Sequence, residues 1–184
     1  MTAFGLVLTL NTLTIKLSFI ALFLTISYPF AKRFISIPQA YLGVTFGLGI
    51  PMAWASVTDH IPIVAYVTML ANLFWVLAYD TQYAMVDRDD DMGIGIKTSA
   101  ILFGKYDVTM VIAFQTIFLI LMLVVGTISD LGIFYKIGLA GAAVAIAFQY
   151  PMIKYRARER CFQAFRRNNL VGCIIFIGLF LDAI

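Results

Sequence analysis

Residues 108–128 read VTMVIAFQTIFLILMLVVGTI and contain no charged side chain. A helix needs about 20 apolar residues to cross the hydrocarbon core of a bilayer, so this run predicts a membrane-spanning helix. Similar stretches predict four further spans, at 40–57, 61–79, 132–152 and 167–183. In the first of these, Gly43 and Gly47 have the small-xxx-small spacing that lets membrane helices pack closely.

The composition of the whole chain supports this class of protein. Of 184 residues, 62% are hydrophobic and 12% are charged, whereas a soluble domain is about half apolar and about a quarter charged. This excludes a soluble enzyme, a nucleic-acid-binding domain and a disordered chain. Because the apolar runs are continuous, the spans are helices and not barrel strands. We expect an all-α polytopic transmembrane bundle that forms a single domain over residues 1–184.

The N-terminal stretch 3–31 is too long for one crossing. As a single helix it would measure about 43 Å, and the polar residues Asn11, Thr12 and Lys16 interrupt it. We expect two helices that turn near Asn11–Lys16, which gives about seven helical segments with the first one short. The start of the chain lacks the basic residues of a signal peptide and resembles a helix entered midway.

Basic and base-poor loops alternate along the chain. The basic groups are Lys32-Arg33, then Arg88 to Lys105, then Lys154 to Arg167. The loops near Asp59 and Asp130 are poor in bases. The positive-inside tendency therefore places the basic groups, and the acids beside them, on the cytoplasmic side. The stretch 154–169 is expected to be a loop that contacts anionic lipid.

The segment Tyr79–Asp91, YDTQYAMVDRDDD, concentrates the acidic residues. If helix 61–79 continues through it, Asp87 and Asp91 lie at about −20° and +20° from Asp80 on the helix surface. Carboxylates at these spacings repel each other, and a divalent cation would offset that repulsion. Carboxylates suit Mg²⁺, Mn²⁺ or Ca²⁺. The alternative is a solvated acidic loop without a ligand.

Cationic and phenolic groups flank these acids and could neutralise a phosphate group: Tyr28, Lys32, Arg33, Arg88, Lys97 and Lys105. A cation held by carboxylates, with bases around it, is what a Mg²⁺–diphosphate requires. Each base taken singly is better explained as a positive-inside anchor, and only the combination of bases and acids favours chemistry. The other acids are isolated in the sequence and are expected in loops or at the terminus: Asp59, Asp107, Asp130 and Asp182.

The residues alone leave other functions open. A membrane phosphotransferase acting on a nucleotide-diphosphate lipid also uses aspartates and Mg²⁺, but its usual Asp-Gly followed by Ala-Arg does not occur here. A divalent-cation carrier should hold its ligands near the bilayer midplane, whereas these acids lie at a helix end. An inert helical subunit is a further alternative.

Several motifs together resemble UbiA-type prenyltransferases. Tyr79–Asp91, followed by Gly95–Gly104 (GIKTSAILFG), is similar to the second aspartate-rich motif of that family. Tyr28–Arg33 (YPFAKR) is similar to its YxxxK element. Ile50–Ala53 and Cys161–Asn169 also look like this family, so the resemblance covers essentially the whole chain.

The resemblance implies an all-helical enzyme of the bacterial inner membrane that uses Mg²⁺ to ionise a polyprenyl diphosphate. The allylic cation would alkylate the ring carbon ortho to the hydroxyl of 4-hydroxybenzoate, a step of ubiquinone biosynthesis. Asp87 and Asp91 match the metal carboxylates, and Asp80 precedes them on the same face as a candidate proton acceptor.

The same resemblance assigns the bases. Tyr28 and Lys32 match contacts to the diphosphate, and Arg33 matches an arginine that holds a substrate anion, either carboxylate or diphosphate. Arg88 and Lys97 are not assigned by the resemblance, but they flank the aspartates in the sequence and are therefore also expected to bind the diphosphate.

One element of the family has no counterpart in this sequence. The family carries a first motif of the form NDxxDxxxD on an earlier helix, but no Asn-Asp pair occurs here and no acid precedes Asp59. Position 1 is expected to match a point inside the family's third helix, so that the chain resembles the C-terminal two-thirds of such an enzyme. A catalytically inactive fragment is therefore the alternative to an active enzyme.

Overall fold

Helices make up the regular structure of the described residues, which in this computed structural model are 2–184 without the side chains of residues 2–4, 32 and 33. The helices are α1 (Thr2–Val7), α2 (Thr12–Phe34), α3 (Pro38–Gly47), α4 (Gly49–Thr58), α5 (Ile63–Val86), α6 (Arg88–Ile94), α7 (Ser99–Phe103), α8 (Asp107–Ile128), α9 (Ile133–Ala147), α10 (Tyr150–Ile153) and α11 (Arg158–Asp182). A short 3₁₀ turn, Gly104–Tyr106, joins α7 to α8.

Within the described residues, six helical units are long and apolar enough to cross a membrane. They run over Thr12–Ala31, Pro38–Thr58, Ile63–Val86, Ser99–Ile128, Ile133–Ile153 and Arg158–Asp182. With the short α1 they confirm the predicted all-α multi-pass bundle of about seven segments. Hydrocarbon offers no hydrogen bonds, so the chain satisfies its backbone groups inside helices.

The predicted turn near Asn11 is confirmed, and the side chain of Asn11 explains it. Its Oδ1 accepts hydrogen bonds from the backbone N–H of Thr14 at 2.9 Å and from the Thr14 hydroxyl at 2.8 Å. A capping asparagine satisfies an N–H that the first turn of a helix leaves without a partner. The α2 helix therefore begins at Thr12, and Lys16 lies within it.

Two predicted boundaries were wrong at the polar ends of helices. The α5 helix continues to Val86, seven residues beyond the predicted end at residue 79. The α11 helix begins at Arg158, although the stretch 154–169 was expected to be a loop. Arginine and glutamine have a high helix propensity. A helix can therefore continue through charged and polar residues after it leaves the hydrocarbon.

The central helix of the bundle is α5, which packs against α3, α4, α8 and α11. The α9 helix pairs with α11. Glycines allow these close contacts: a Cβ on Gly43 would lie 2.6 Å from Leu73 Cδ1, and one on Gly47 would lie 3.0 Å from Met69 Cγ. The packing role predicted for Gly43 and Gly47 is confirmed.

A chain of buried amides connects four elements inside the bundle. Gln149 Oε1 accepts from Gln82 Nε2 at 2.7 Å and from Gln115 Nε2 at 2.8 Å. Asn168 Nδ2 donates to Gln82 Oε1 at 2.7 Å. These bonds join α5, α8, α11 and the link between α9 and α10. Interhelical hydrogen bonds stabilise membrane bundles because hydrocarbon cannot pair with the amides.

The loops sort to two ends of the bundle. At one end, Asn11 Nδ2 donates to Ala55 O at 2.5 Å, and Asp182 accepts from the N-terminal turn of α9. At the other end, the α5–α6 junction approaches the start of α8 and the α10–α11 loop through ion pairs. The basic groups and the acidic segment thus share one end.

The contact between α9 and α11 generates a stability prediction. A Cβ on Gly178 would lie 2.7 Å from the backbone oxygen of Phe134 and 3.1 Å from Gly138 Cα. Backbone atoms cannot move aside singly, so Gly178→Ala should separate the helices and destabilise the bundle by about 1–3 kcal/mol. The measurement is the thermal unfolding of the purified chain in detergent.

Gly49→Ala is the matched control, because a Cβ there meets no atom within 4 Å. Alanine in a helix is favoured over glycine by about 1 kcal/mol, so this variant should unfold at the same or a higher temperature. Equal unfolding temperatures for both variants would contradict the packing argument.

Candidate functional site

The acidic segment lies where α5 ends and α6 begins, and not on one continuous helix, which was the condition for the predicted common face of Asp80, Asp87 and Asp91. Asp87 caps α5, with φ −96° and ψ 5°, and its N–H makes a long hydrogen bond of 3.4 Å to Tyr83 O. The new helix places Asp89, Asp90 and Asp91 in its first turn. Negative charge is favourable at a helix N-terminus and repulsive in a helix interior, so a break here is the stable arrangement.

The α6 helix is closed by Gly95, which adopts a left-handed conformation with φ +72°. The N–H of Gly95 donates towards Asp91 O and Met92 O, and the N–H of Ile96 donates to Asp91 O at 3.0 Å. This end satisfies the last carbonyls of the helix. The segment then turns back, and Lys97 and Thr98 return towards the aspartates.

The break still leaves the three predicted carboxylates on one cleft. A cleft of about 170 Å³ is lined by residues from four segments: Tyr28, Pro38, Gln39, Asp80, Tyr83, Ala84, Asp87, Asp91, Ile96, Lys97 and Thr98. Asp80, Asp87 and Asp91 are all half-buried. The structure thus brings Tyr28 to Lys97 and the aspartates, which lie more than 50 residues further along the chain.

The donors of this cleft suit a hard divalent cation. Carboxylate, phenol and amide oxygens are the ligand type that Mg²⁺ takes, commonly one or two carboxylates plus phosphate oxygens. Among the residues that the structure describes, no three Asp, Glu, His or Cys side chains converge tightly enough to hold a metal on their own. The aspartates surround a cleft and leave room for further ligands.

The remaining predicted bases divide into two groups. The side chains of Lys32 and Arg33 lie outside the described residues. Arg88 and Lys105 are described, and neither belongs to the lining of the cleft. Arg88 Nη1 instead pairs with Asp107 Oδ2 at 3.2 Å, and Lys105 Nζ lies 5.1 Å from the centre of the Tyr106 ring. Their predicted contact with diphosphate stays a prediction.

Asp107 was expected to be an isolated loop residue, and that interpretation was wrong. It is the first residue of α8 and its side chain is fully buried. Its carboxylate accepts hydrogen bonds from Arg156 Nε and Nη2, the closest at 2.6 Å, and from the N–H of Val108. A buried carboxylate needs such partners because desolvation disfavours an unpaired charge. The hydrogen bonds to Asp107 raise the pKa of Arg156 above its ordinary value.

Asp182 was also expected to be an isolated terminal residue, but it caps a different helix. Its two carboxylate oxygens accept from the N–H groups of Phe134 at 3.1 Å and Tyr135 at 3.0 Å. An acid at a helix N-terminus satisfies N–H groups without an intrahelical partner. Sequence reasoning missed both roles because Arg156 lies 49 residues from Asp107 and Tyr135 lies 47 residues from Asp182 along the chain.

A second cavity of about 490 Å³ lies among α3, α5 and α11. Its walls are mostly aromatic and amide side chains: Phe46, Asn72, Trp75, Tyr79, Phe165, Arg166, Asn168 and Asn169. Three buried polar atoms on its wall have no hydrogen-bond partner within the described chain, namely Asn72 Nδ2, Trp75 Nε1 and Asn168 Oδ1. Tyr79 on this cavity and Asp80 on the acidic cleft are neighbours, so the two spaces flank the same turn of α5.

The fold and the cleft define a class: a multi-pass helical membrane protein with an oxygen-lined acidic cleft at one end of the bundle. The sequence profile of the UbiA prenyltransferase family matches residues 1–173. The chain belongs to this family.

The curated relatives that the chain matches are named as prenyltransferases. The chain is 56% identical to the 4-hydroxybenzoate octaprenyltransferase of Nitrosospira multiformis, over 98% of this chain and 62% of that protein. It is 54% identical to the protein of that name from Cupriavidus pinatubonensis, over 96% of this chain and 62% of that protein. The chain therefore spans about three-fifths of the length of the relatives it matches.

Solved structures agree with the fold. A UbiA homologue from Aeropyrum pernix in its apo form matches with a TM-score of 0.83 and 25% identity, over 98% of this chain and 68% of that one. A digeranylgeranylglyceryl phosphate synthase matches with a TM-score of 0.77 at 15% identity, over 98% of this chain and 64% of that one, and supports the fold alone.

The cap of α6 generates a local prediction. An alanine at position 95 would have to adopt the left-handed conformation, which costs an L-residue about 1–2 kcal/mol. Gly95→Ala should therefore speed amide hydrogen exchange in residues 89–96, measured by mass spectrometry on the full chain. Gly93→Ala is the control, because Gly93 lies within α6 without positive φ and its Cβ would meet no atom within 4 Å. Faster exchange in both variants, or in neither, would argue against the cap.

Proposed function

We propose that this chain provides the second aspartate-rich half of an aromatic prenyltransferase site. The reaction transfers a polyprenyl group from its diphosphate to the ring carbon ortho to the hydroxyl of 4-hydroxybenzoate. The observation that carries the proposal is the cleft on which Asp80, Asp87 and Asp91 meet Tyr28 and Lys97. Family membership favours this reaction over the phosphotransferase and the cation carrier.

The residues of the cleft would act on the diphosphate end of the donor. Asp87 and Asp91 would hold Mg²⁺, with Asp80 on the same wall. Bound Mg²⁺ supplies Lewis-acid stabilisation of the leaving diphosphate. Lys97 and Tyr28 add a positive charge and a phenolic hydroxyl to the lining of the cleft, where they would contact phosphate oxygens. Lys32 and Arg33 follow Tyr28 by four and five residues in the sequence, and their contact with the substrate anion stays a prediction from the family resemblance.

The covalent change balances within the two substrates. The bond between the first prenyl carbon and the diphosphate oxygen breaks, and the oxygen keeps the electron pair. The ring carbon ortho to the hydroxyl forms a bond to the allylic carbon, and that ring carbon then loses its proton. A carboxylate of the cleft would accept the proton, and Asp80 is the candidate. Developing charge is stabilised by groups already oriented around it.

The cavity of about 490 Å³ would receive the reacting ends of the substrates. Its aromatic walls suit an isoprenoid chain and stabilise positive charge on the allylic carbon. The unpartnered donors Asn72 Nδ2 and Trp75 Nε1 suit oxygen atoms of an aromatic acid. The volume is typical of a small-molecule site and holds only the head of a long prenyl chain.

The proposed orientation follows from charge. The basic groups share the end of the bundle that carries the cleft, so that end faces the cytoplasm by the positive-inside tendency. The bacterial origin of the similar proteins fits an inner-membrane location. Both substrates would reach the cleft at the cytoplasmic surface, the prenyl donor through the bilayer.

The test is a prenyl-transfer assay on membranes that lack the host enzyme. In the first arm, the chain of 184 residues is expressed alone. In the second arm, it is joined to the N-terminal third of the Nitrosospira multiformis relative. Each preparation receives octaprenyl diphosphate, 4-hydroxybenzoate and Mg²⁺, and the product is measured by mass spectrometry. We expect EDTA-sensitive product in the joined form, because it supplies both aspartate-rich motifs. Product from the chain alone would show that one motif suffices.

Variants of the joined form assign the carboxylates. Asp87→Asn should lower the rate by at least about a hundredfold, since one charge-stabilising group contributes about 10²–10³ in rate. Asp130→Asn is the matched control, because Asp130 is exposed in the loop at the opposite end of the bundle. No product in any arm, or full activity of Asp87→Asn, would overturn the proposed function.

A further inference from the structure

The α6 helix carries two of the three cleft aspartates at or near its start, yet apolar packing does not hold it. None of its residues is buried. Its larger apolar side chains are exposed, Met92 to 53% and Ile94 to 71%. Burial of such side chains is what normally fixes a short amphipathic helix. A different interaction must set the orientation of α6.

That interaction begins at Arg88, the first residue of α6. Its Nη1 lies 3.2 Å from Asp107 Oδ2, so the side chain points to the start of α8 and away from the acidic cleft. Asp107 is fully buried. A second arginine, Arg156 from the loop before α11, holds the same carboxylate through Nε at 2.9 Å and Nη2 at 2.6 Å.

Two further hydrogen bonds connect Asp107 and Arg156 to the backbone at the start of α8. The N–H of Val108 donates to Asp107 Oδ1 at 2.6 Å, and Arg156 Nη2 also donates to the carbonyl of Lys105 at 2.9 Å. Arg156 itself has φ +55°, a conformation that costs an ordinary residue about 1–2 kcal/mol. The Asp107 carboxylate is thus held by Val108 and Arg156 independently of Arg88.

A second, weaker tie runs parallel to the first. Arg158 Nη2 lies 2.8 Å from Asp90 Oδ2 and 3.8 Å from Asp87 Oδ1. Arg158 and Asp90 are largely exposed to solvent, which makes their pair weak. The pair nevertheless brings the start of α11 against the same short helix. Buried Asp107 is the stronger of the two anchors because its surroundings exclude water.

We propose that Asp107 is a positioning residue for the acidic cleft. By holding Arg88, it fixes the rotation of α6 about its own axis, and this directs Asp87 and Asp91 into the cleft. The three-residue cluster Asp107–Arg88–Arg156 couples that rotation to α8 and to the α10–α11 loop. The effect on a metal rests on the proposed function, whereas the anchoring of α6 does not.

The decisive variant is Arg88→Gln in the full chain. It releases α6 but leaves Asp107 paired with Arg156, so it does not create a buried unpaired charge. Amide exchange in residues 89–96 should become about tenfold faster, because a hydrogen bond to a charged group contributes about one factor of ten or more. Exchange in α9 and the second half of α11 should not change. Arg88→Lys keeps the charge and should restore part of the protection.

The second measurement is Mn²⁺ binding to the joined form, followed by electron paramagnetic resonance. We expect Arg88→Gln and Asp107→Asn to weaken Mn²⁺ binding by about tenfold, since displaced carboxylates no longer share one cleft. Arg160→Gln, which changes an exposed arginine of the same basic stretch, is the matched control and should bind Mn²⁺ normally. If the Arg88–Asp107 ion pair only stabilised the fold, the folded fraction of both variants would bind Mn²⁺ as the unmodified protein does.

The outcomes separate the two proposals. Unchanged exchange in α6 of Arg88→Gln would overturn the positioning role, and so would a uniform rise across all helices. Faster exchange confined to α6, with no Mn²⁺ binding by the unmodified protein, would support the anchor and count against the proposed metal site. Faster exchange with normal Mn²⁺ binding in both variants would show that α6 is tied but that its orientation does not serve the cleft.

Discussion

Hydrocarbon neither solvates charge nor accepts hydrogen bonds, and this constraint arranges the whole molecule. Backbone groups are satisfied inside helices, and ionisable side chains gather at helix ends. The aspartates of Tyr79–Asp91 therefore meet Lys97 of the α6–α7 connection and Arg158 at the start of α11 at one end of the bundle. The cleft is a consequence of that sorting, because groups that cannot enter the bilayer are brought together at its surface.

Within the hydrocarbon, the bundle needs attractions other than the hydrophobic effect, because lipid tails are as apolar as leucine. Two devices supply them. Gly138 and Gly178 let the backbones of α9 and α11 approach, so that many weak dispersion contacts form. The amides of Gln82, Gln115 and Gln149 pair across helices. These contacts make a rigid frame, and the acidic cleft is attached to one end of it.

The acidic segment departs from the regularity of that frame. Continuous helix through Asp87–Asp91 would stack like charges in a helix interior, whereas a new N-terminus at Arg88 accommodates them. Because the helix breaks at Asp87, the orientation of α5 no longer determines the orientation of α6. Another interaction therefore has to define how α6 is oriented. The buried carboxylate of Asp107, with Arg88 and Arg156, is in the right place to do so. Local electrostatics and long-range ion pairing thus act on the same short helix.

The sequence by itself determined the membrane class, the spans, the turn at Asn11 and the family, because each depends on local composition or on a contiguous motif. It also indicated that Asp80, Asp87 and Asp91 face one space, although it assumed an unbroken helix. Only the tertiary structure decided that Arg88 turns to Asp107, that Asp107 is buried, and that Asp182 caps α9. These partners lie 19 to 49 residues apart in sequence. Such pairs depend on how the helices pack against one another. The periodicity of a single helix in the sequence does not show which other helix ends will lie beside it.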